Sequence, residues 1–426
     1  MLPPSDAGLS LDHLLSRLDP GVAAALGRAL EGRDLSVEES VMLLGARGRE
    51  FTALLLAADE LRRRTVGEVV TYVVNRNINF TNVCIKHCGF CAFSRDYRSE
   101  EGYFLPVEEV VRRARQAADY GATEVCIQAG LPPQMEGDLY LRICRAVKEA
   151  VPDLHIHGFS PEEVLYGAVR SRVTIADYLK ALKDAGVGSL PGTSAEILDE
   201  ELRQRIAPGR ISTAQWVEVI TTAHRLGIPT TATMMYGHVE TDTHKARHLA
   251  LLRDLQRQTG GFTEFVPLSF VHTEAPMYRH GLVEGIRPGA GGLEILRVHA
   301  LARLMLNRDI PNLQVAWVKV GREVAQLCLA AGVNDMGGTL INESISTAAG
   351  AAHGQLLRPH ELRALIREAG RVPAERTTTY RVRRLYDDGD AAASPLDATP
   401  TTSEELFGSY HRLVQLDTFR FRKPSA

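Results

Sequence analysis

Apolar residues recur at three- and four-residue spacing through the first 70 positions. LDHLLSRL, GVAAALGRAL and VEESVMLLGARGREFTALLLAADELRRRT each carry one apolar face, which predicts helices throughout this stretch. From about residue 71 the pattern changes to short β-rich runs that alternate with amphipathic stretches, the mark of parallel βα units. Strands are expected at 72–84, 123–130, 155–160, 189–196, 228–238, 262–272, 313–320 and 333–340. Helices are expected after them at 107–122, 139–151, 175–187, 213–227, 244–258, 292–306, 322–332 and 360–370. Eight strand-helix pairs joined by right-handed crossovers close into a barrel. An open doubly wound sheet is the alternative, but the G-x-G-x-x-G fingerprint after the first strand is absent. The expected fold is therefore α/β: a (βα)8 TIM-type barrel over 71–370, an all-helical N-terminal extension over 1–70 and a short C-terminal extension over 371–426. In that last segment RTTTYRVRRLY reads as an added edge strand, and DDGDAAASPLDATPTTSEE as polar and mobile.

Composition narrows the class without choosing a function. The 426 residues are 45% hydrophobic and 24% charged, enough to bury a large core. A net charge of -3 with both signs scattered points to neither a nucleic-acid nor a membrane surface. Seven of the 49 basic residues are Lys, leaving 42 Arg, so a single Arg is weak evidence of a site. The N-terminus lacks a basic-then-apolar signal, and no apolar run reaches the ~18 residues of a membrane span. A cytoplasmic protein is expected.

Chemistry concentrates in NINFTNVCIKHCGFCAFSRD, where Cys84, Cys88 and Cys91 stand in a C-x3-C-x2-C spacing. The other cysteines, Cys126, Cys144 and Cys328, sit in apolar periodic segments and read as core, in a reducing compartment. Three thiolates without a well-spaced fourth ligand suit a 4Fe-4S cluster with one open iron, whereas a closed zinc site wants four. With Phe90 before the last cysteine, the segment resembles the radical S-adenosylmethionine (SAM) enzymes. That resemblance implies a 4Fe-4S cluster whose open iron holds the amino and carboxylate groups of SAM, with the sulfonium split by an incoming electron.

In such barrels functional groups gather where the strands end. Gln128 and Gly130 close the second strand, at the place of the glycine-rich SAM motif, although QAG departs from the commoner GGE. Gly130 reads equally well as a turn glycine. Ser194 and Glu196 close the fourth strand, where a hydroxyl and a carboxylate suit SAM; the same pair also resembles a helix start. Tyr236 and Gly237 follow the fifth, where related enzymes place backbone groups against adenine. His238 follows them, either facing substrate or held structurally. His157 and Glu343 complete the expected catalytic set with His238. His155, Ser160, Glu264, His272, Lys319, Asn342 and Ser344 are further candidates at strand ends.

The segments NRNINFTNVCIKHCGFCAFSRD, LPGTSAEIL, TTATMMYGHVET, FTEFVPLSFVHTEAPMY and GGTLINESISTAAGAAHG resemble the family of FO synthase subunit 2, over roughly residues 65–380. This is the 5-amino-6-(D-ribitylamino)uracil:L-tyrosine 4-hydroxybenzyl transferase of deazaflavin biosynthesis. The resemblance implies cleavage of the tyrosine Cα–Cβ bond and transfer of the 4-hydroxybenzyl group to the uracil, on the route to coenzyme F-420. It implies a reductant such as ferredoxin or flavodoxin, FO synthase subunit 1 as functional partner, and the stand-alone rather than the fused form. Aminofutalosine synthase of menaquinone biosynthesis, or another tyrosine-cleaving relative, is the alternative within the branch. A non-enzymatic iron-sulfur carrier is the alternative outside it.

Overall fold

The computed structural model describes residues 11–387 and 394–422. Its parallel strands are β1 (Val69–Val73), β2 (Asn75–Ile78), β3 (Glu124–Ile127), β4 (His155–His157), β5 (Val187–Ser189), β6 (Thr230–Tyr236), β7 (Phe262–Ser269), β8 (Asp335–Gly338) and β9 (Val372–Arg376), with β10 (Val382–Leu385) antiparallel to β9. Neighbours follow one another round a closed ring. β2 pairs with β3, β3 with β4 and β4 with β5; Leu190 bridges to Thr230, β6 pairs with β7, Phe265 bridges to Leu313 and Gln314 to Asp335. β8 returns to β1, and Ile341 to Arg76 of β2. The eight-position barrel read from periodicity is the fold found.

Where the strands differ from expectation, local chemistry explains it. The first expected strand is β1 and β2 together, with Val74 between them, and it stops at Ile78, so the cysteines lie in the irregular loop beyond. The seventh, 313–320, shrinks to bridges at Leu313 and Gln314; Trp317–Val320 coils into a helix whose Trp317 Nε1 donates to Gly338 O at 2.9 Å. A short apolar run does not by itself distinguish a buried strand from a buried helix. The expected third strand ends at His157, and Ser160 instead caps a helix over Pro161–Ser171 that periodicity did not predict. Its box of Ser160 and Glu163, with proline at the first turn, is the signal for that start. A second unexpected helix, Glu200–Ile206, follows the fourth strand.

The N-terminal extension is helical at Leu11–Leu15, Pro20–Leu30, Val37–Leu44 and Gly48–Val66. The last of these packs on the barrel helix Gly292–Leu306, and Arg257 of the helix Asp242–Thr259 grips Asp34 with two hydrogen bonds of 2.7 and 2.8 Å.

The C-terminal extension does more than add an edge. β9 takes the side of β1 that β3 leaves free, and so fills a gap at the N-terminal end of the barrel. There Arg376 pairs with both oxygens of Asp335 and stands 3.4 Å from Glu264, to which Tyr380 donates its hydroxyl. The stretch expected to be mobile is packed from Ser394 onward: Leu396 is fully buried and Asp397 pairs with Arg363 at 3.0 Å. Residues 388–393 of that stretch lie outside the described residues. Further on, Asn342 donates to the carbonyls of Phe407 and Gly408, and Arg76 lies 5.1 Å over the Phe407 ring.

Candidate active site

The loop after β2 is fixed by its backbone rather than by regular structure. Cys84 N donates to Arg95 O (3.0 Å), Ile85 N to Leu131 O (2.8 Å) and Gly89 N to Ile206 O (2.9 Å), while Met277 N donates to Gly89 O (2.7 Å). These bonds hold the thiols of Cys84, Cys88 and Cys91 on the wall of one cavity of about 320 Å³ at the C-terminal end of the barrel. All three are free of disulfides. Burial pushes Cys84 up and Cys88 up to about 12; for Cys88 the Arg210 guanidinium opposes this and the neighbouring thiols add to it. Among the described residues no three His, Cys, Asp or Glu groups surround a single-ion position. A four-iron cube takes its thiolates at three separate irons, and three cysteines on one anchored loop, with no fourth ligand, fit that group.

Groups delivered by other strand ends share that cavity. Gln128, Gly130, Ser194 and Glu196 line it, as do Ser160, Lys319, Glu343 and, from the cysteine loop itself, Phe90. Ser194 and Glu196 hold φ angles of 65° and 46°, a region sparsely used by residues with side chains. Gly130 has a clear steric reason: a Cβ there would lie 2.3 Å from Val83 O, on the chain running into Cys84. Arg210 joins the parts, donating to Ser194 Oγ at 2.6 Å and Glu196 Oε1 at 3.0 Å, contacting Glu162 at 3.2 Å, and lying 5.4 Å over the Phe90 ring. Glu163 accepts from Ser160 N and Ala129 N at 2.8 Å each, and burial pushes its carboxyl up to about 7 against those bonds. Sequence reading missed Arg210, lost among so many arginines, and Glu163, whose capping box was legible.

Other candidates are not brought to this cavity. His157 is buried at the barrel interior, 2.7 Å from Ser189 Oγ, which also meets His155 at 2.7 Å; burial lowers His157 to about 4. Tyr236 faces the opposite side of β6 from the cavity-lining Met235, within the core, and its carbonyl accepts from Phe270 N. Gly237 N and His238 N both donate to Glu240 at 2.8 Å, and His238 Nε2 lies 3.1 Å from Met235 O, so the ring is held structurally. Glu264 belongs to the barrel floor, Asn342 to the packing of the tail, Ser344 donates its hydroxyl to Asn342 O within its own loop, and His272 stacks edge-on against Tyr278.

Comparison with known proteins agrees with this geometry. Residues 78–252 match the Radical SAM superfamily, and residues 259–388 match the CofH/MqnC C-terminal region. The 5-amino-6-(D-ribitylamino)uracil–L-tyrosine 4-hydroxyphenyl transferase of Methanothermobacter thermautotrophicus is 50% identical over 347 residues, 82% of this chain and 94% of the relative. FO synthase of Streptomyces avermitilis is 48% identical over 365 residues, 85% of this chain and 42% of that longer protein. Among solved structures, the FeFe-hydrogenase maturase HydG from Carboxydothermus hydrogenoformans superposes with a TM-score of 0.66 at 16% identity, covering 87% of this chain and 83% of that one. Methylornithine synthase (PylB) gives 0.61 at 18%, covering 81% and 95%. With a cysteine triad at the mouth of a closed barrel and relatives about half identical along most of their length, the chain belongs to the radical SAM superfamily, in the family of the 5-amino-6-(D-ribitylamino)uracil–L-tyrosine 4-hydroxyphenyl transferases.

Proposed function

We propose that this protein is a radical SAM transferase that breaks the Cα–Cβ bond of L-tyrosine and joins the released fragment to 5-amino-6-(D-ribitylamino)uracil. One observation carries the reading: relatives 47–50% identical over most of the barrel bear this activity in their names, and the thiols it requires share one cavity here. Cleavage at Cα–Cβ leaves the methylene on the ring, so the group transferred is 4-hydroxybenzyl. Cys84, Cys88 and Cys91 would hold a 4Fe-4S cluster, and Gln128, Gly130, Ser194 and Glu196 would face SAM, with Arg210 fixing the last two. Together those cofactors supply reductive cleavage of the sulfonium and, through it, hydrogen-atom abstraction.

The chain's own part is positioning and exclusion. Leu131, Met235, Leu268, Phe270 and Val271 give the cavity an apolar wall that keeps water from a reactive carbon centre. Backbone bonds on either side of the cysteine loop anchor it, a rigidity that suits the ~3–3.5 Å separations of reacting groups such chemistry requires. A one-electron donor such as ferredoxin or flavodoxin, cooperation with FO synthase subunit 1 and a cytoplasmic location complete the proposal. Among the described residues no helix is long and apolar enough to cross a membrane. Incubating reduced, reconstituted protein with SAM, tyrosine and the ribitylaminouracil should yield a tyrosine-dependent 4-hydroxybenzyl adduct by mass spectrometry. SAM cleavage without that adduct would overturn the assignment.

A further inference from the structure

Three cationic side chains line the cavity: Lys86, Arg210 and Lys319. Two are already engaged. Lys86 donates to Gly209 O and stands 3.3 Å from Glu162, and Arg210 is shared among Glu162, Glu196 and Ser194. Lys319 forms no side-chain hydrogen bond, and no ion pair within 4.0 Å, among the described residues. Its backbone is nevertheless fixed, because the helix Trp317–Val320 is tied to β8 through Trp317. Burial disfavours its charge, and Glu343 is the foremost group opposing that effect. Glu343 is aimed by the N–H groups of Ser346 (3.0 and 2.9 Å) and Thr347 (3.3 Å), contacts that leave its oxygens room for another donor.

An ammonium and a carboxylate thus face one cavity, close enough to interact and too far apart to pair. Glu343 is buried and Lys319 half-buried, and a charge partly taken out of water and kept from its partner is costly unless a ligand supplies the counter-charge. We infer that Lys319 and Glu343 form a clamp for the α-amino acid end of the tyrosine substrate, Lys319 taking its carboxylate and Glu343 its ammonium. The inference rests on the tyrosine reading above. The ribitylaminouracil carries no such pair of opposite charges.

The test is equilibrium binding to reconstituted, unreduced holoenzyme saturated with SAM, read by calorimetry for tyrosine, tyramine (no carboxylate) and 3-(4-hydroxyphenyl)propionate (no amine). Lys319→Gln should raise the Kd for tyrosine and the propionate by about 30-fold or more and leave tyramine unchanged. Glu343→Gln should weaken tyrosine and tyramine and spare the propionate. Lys319→Arg should recover part of the tyrosine affinity. Iron content and SAM affinity, equal to those of the parent, show that each variant is folded and loaded. An unchanged tyrosine Kd in both variants, equal losses for all three compounds, or a loss confined to SAM would overturn the clamp. Where the analogues bind the parent too weakly to read, the tyrosine Kd alone decides. Failure of the parent itself to bind tyrosine would instead defeat the proposed function, and the clamp with it.

Discussion

The two ends of the barrel are both rich in charge, and they treat it in opposite ways. At the floor every strong charge meets a partner from the chain: Arg376 spans Asp335 and Glu264, Tyr380 donates to Glu264, and Thr71 donates to Asp335. At the mouth, among the described residues, the three thiols are free of disulfides, Lys319 has no ion pair within 4.0 Å, and Ser194 and Glu196 sit in strained backbone. Buried polar groups are ordinarily satisfied, so those left open mark where a ligand is meant to complete the set. Polarity alone does not mark a site. Unfinished polarity does.

That contrast is broken most directly at the mouth. Replacing Cys84, Cys88 or Cys91 by Ala should each abolish iron retention and turnover while leaving the fold intact; full iron together with full activity in any one of them would contradict the arrangement. The counterpart at the floor is Arg376→Met, which strands two buried carboxylates and should cost about 3–5 kcal/mol in chemical denaturation. SAM-dependent chemistry per folded molecule should be unchanged, and a loss below about 1 kcal/mol would show that the floor is not held by this ion pair.

A smaller effect sharpens the boundary between structure and site. Gly130→Ala forces a Cβ against Val83 O and should cost about 1–3 kcal/mol, with iron retention falling because the strain enters the chain leading to Cys84. Equal iron binding in both proteins would detach Gly130 from the cluster loop. The smallest expected effect is in pH dependence. His248 accepts from Leu198 N on Nδ1 (3.0 Å) and donates from Nε2 to Thr233 O (2.9 Å), and burial lowers it to about 3. The unfolded imidazole titrates near 6.5, so between those values the unfolded chain binds the extra proton. Stability from this group is present above about pH 6.5 and is lost as pH falls toward 3. Unfolding of His248→Gln followed across that range should show a shallower acid decline, and an unchanged slope would rule this group out.

Much of the fold could be read because periodicity reports burial directly. The alternation of strand and helix placed all eight barrel positions, yet it could not separate the short apolar run at Trp317 from a strand, and it passed over the helix begun by Ser160. The site was legible where spacing encodes chemistry, as in the cysteine triad. It was not legible for His157, whose strand-end position suggested the mouth but whose side chain is buried elsewhere, and of the two readings open for His238 only the tertiary structure chose the held ring. Whether a residue at a strand end faces the cavity depends on one step of pleat or one turn of loop.

The sequence by itself determined the ring of βα units and the three-thiol motif, since both follow from local patterns and short spacings. Only the tertiary structure decided that the C-terminal hairpin closes the barrel floor, that Arg210 links two strand ends to Phe90, and that Lys319 has no ion pair within 4.0 Å among the described residues. Those facts depend on groups from separate elements of the chain meeting in space, and whether a charge is satisfied is a property of its neighbours, which no stretch of sequence carries.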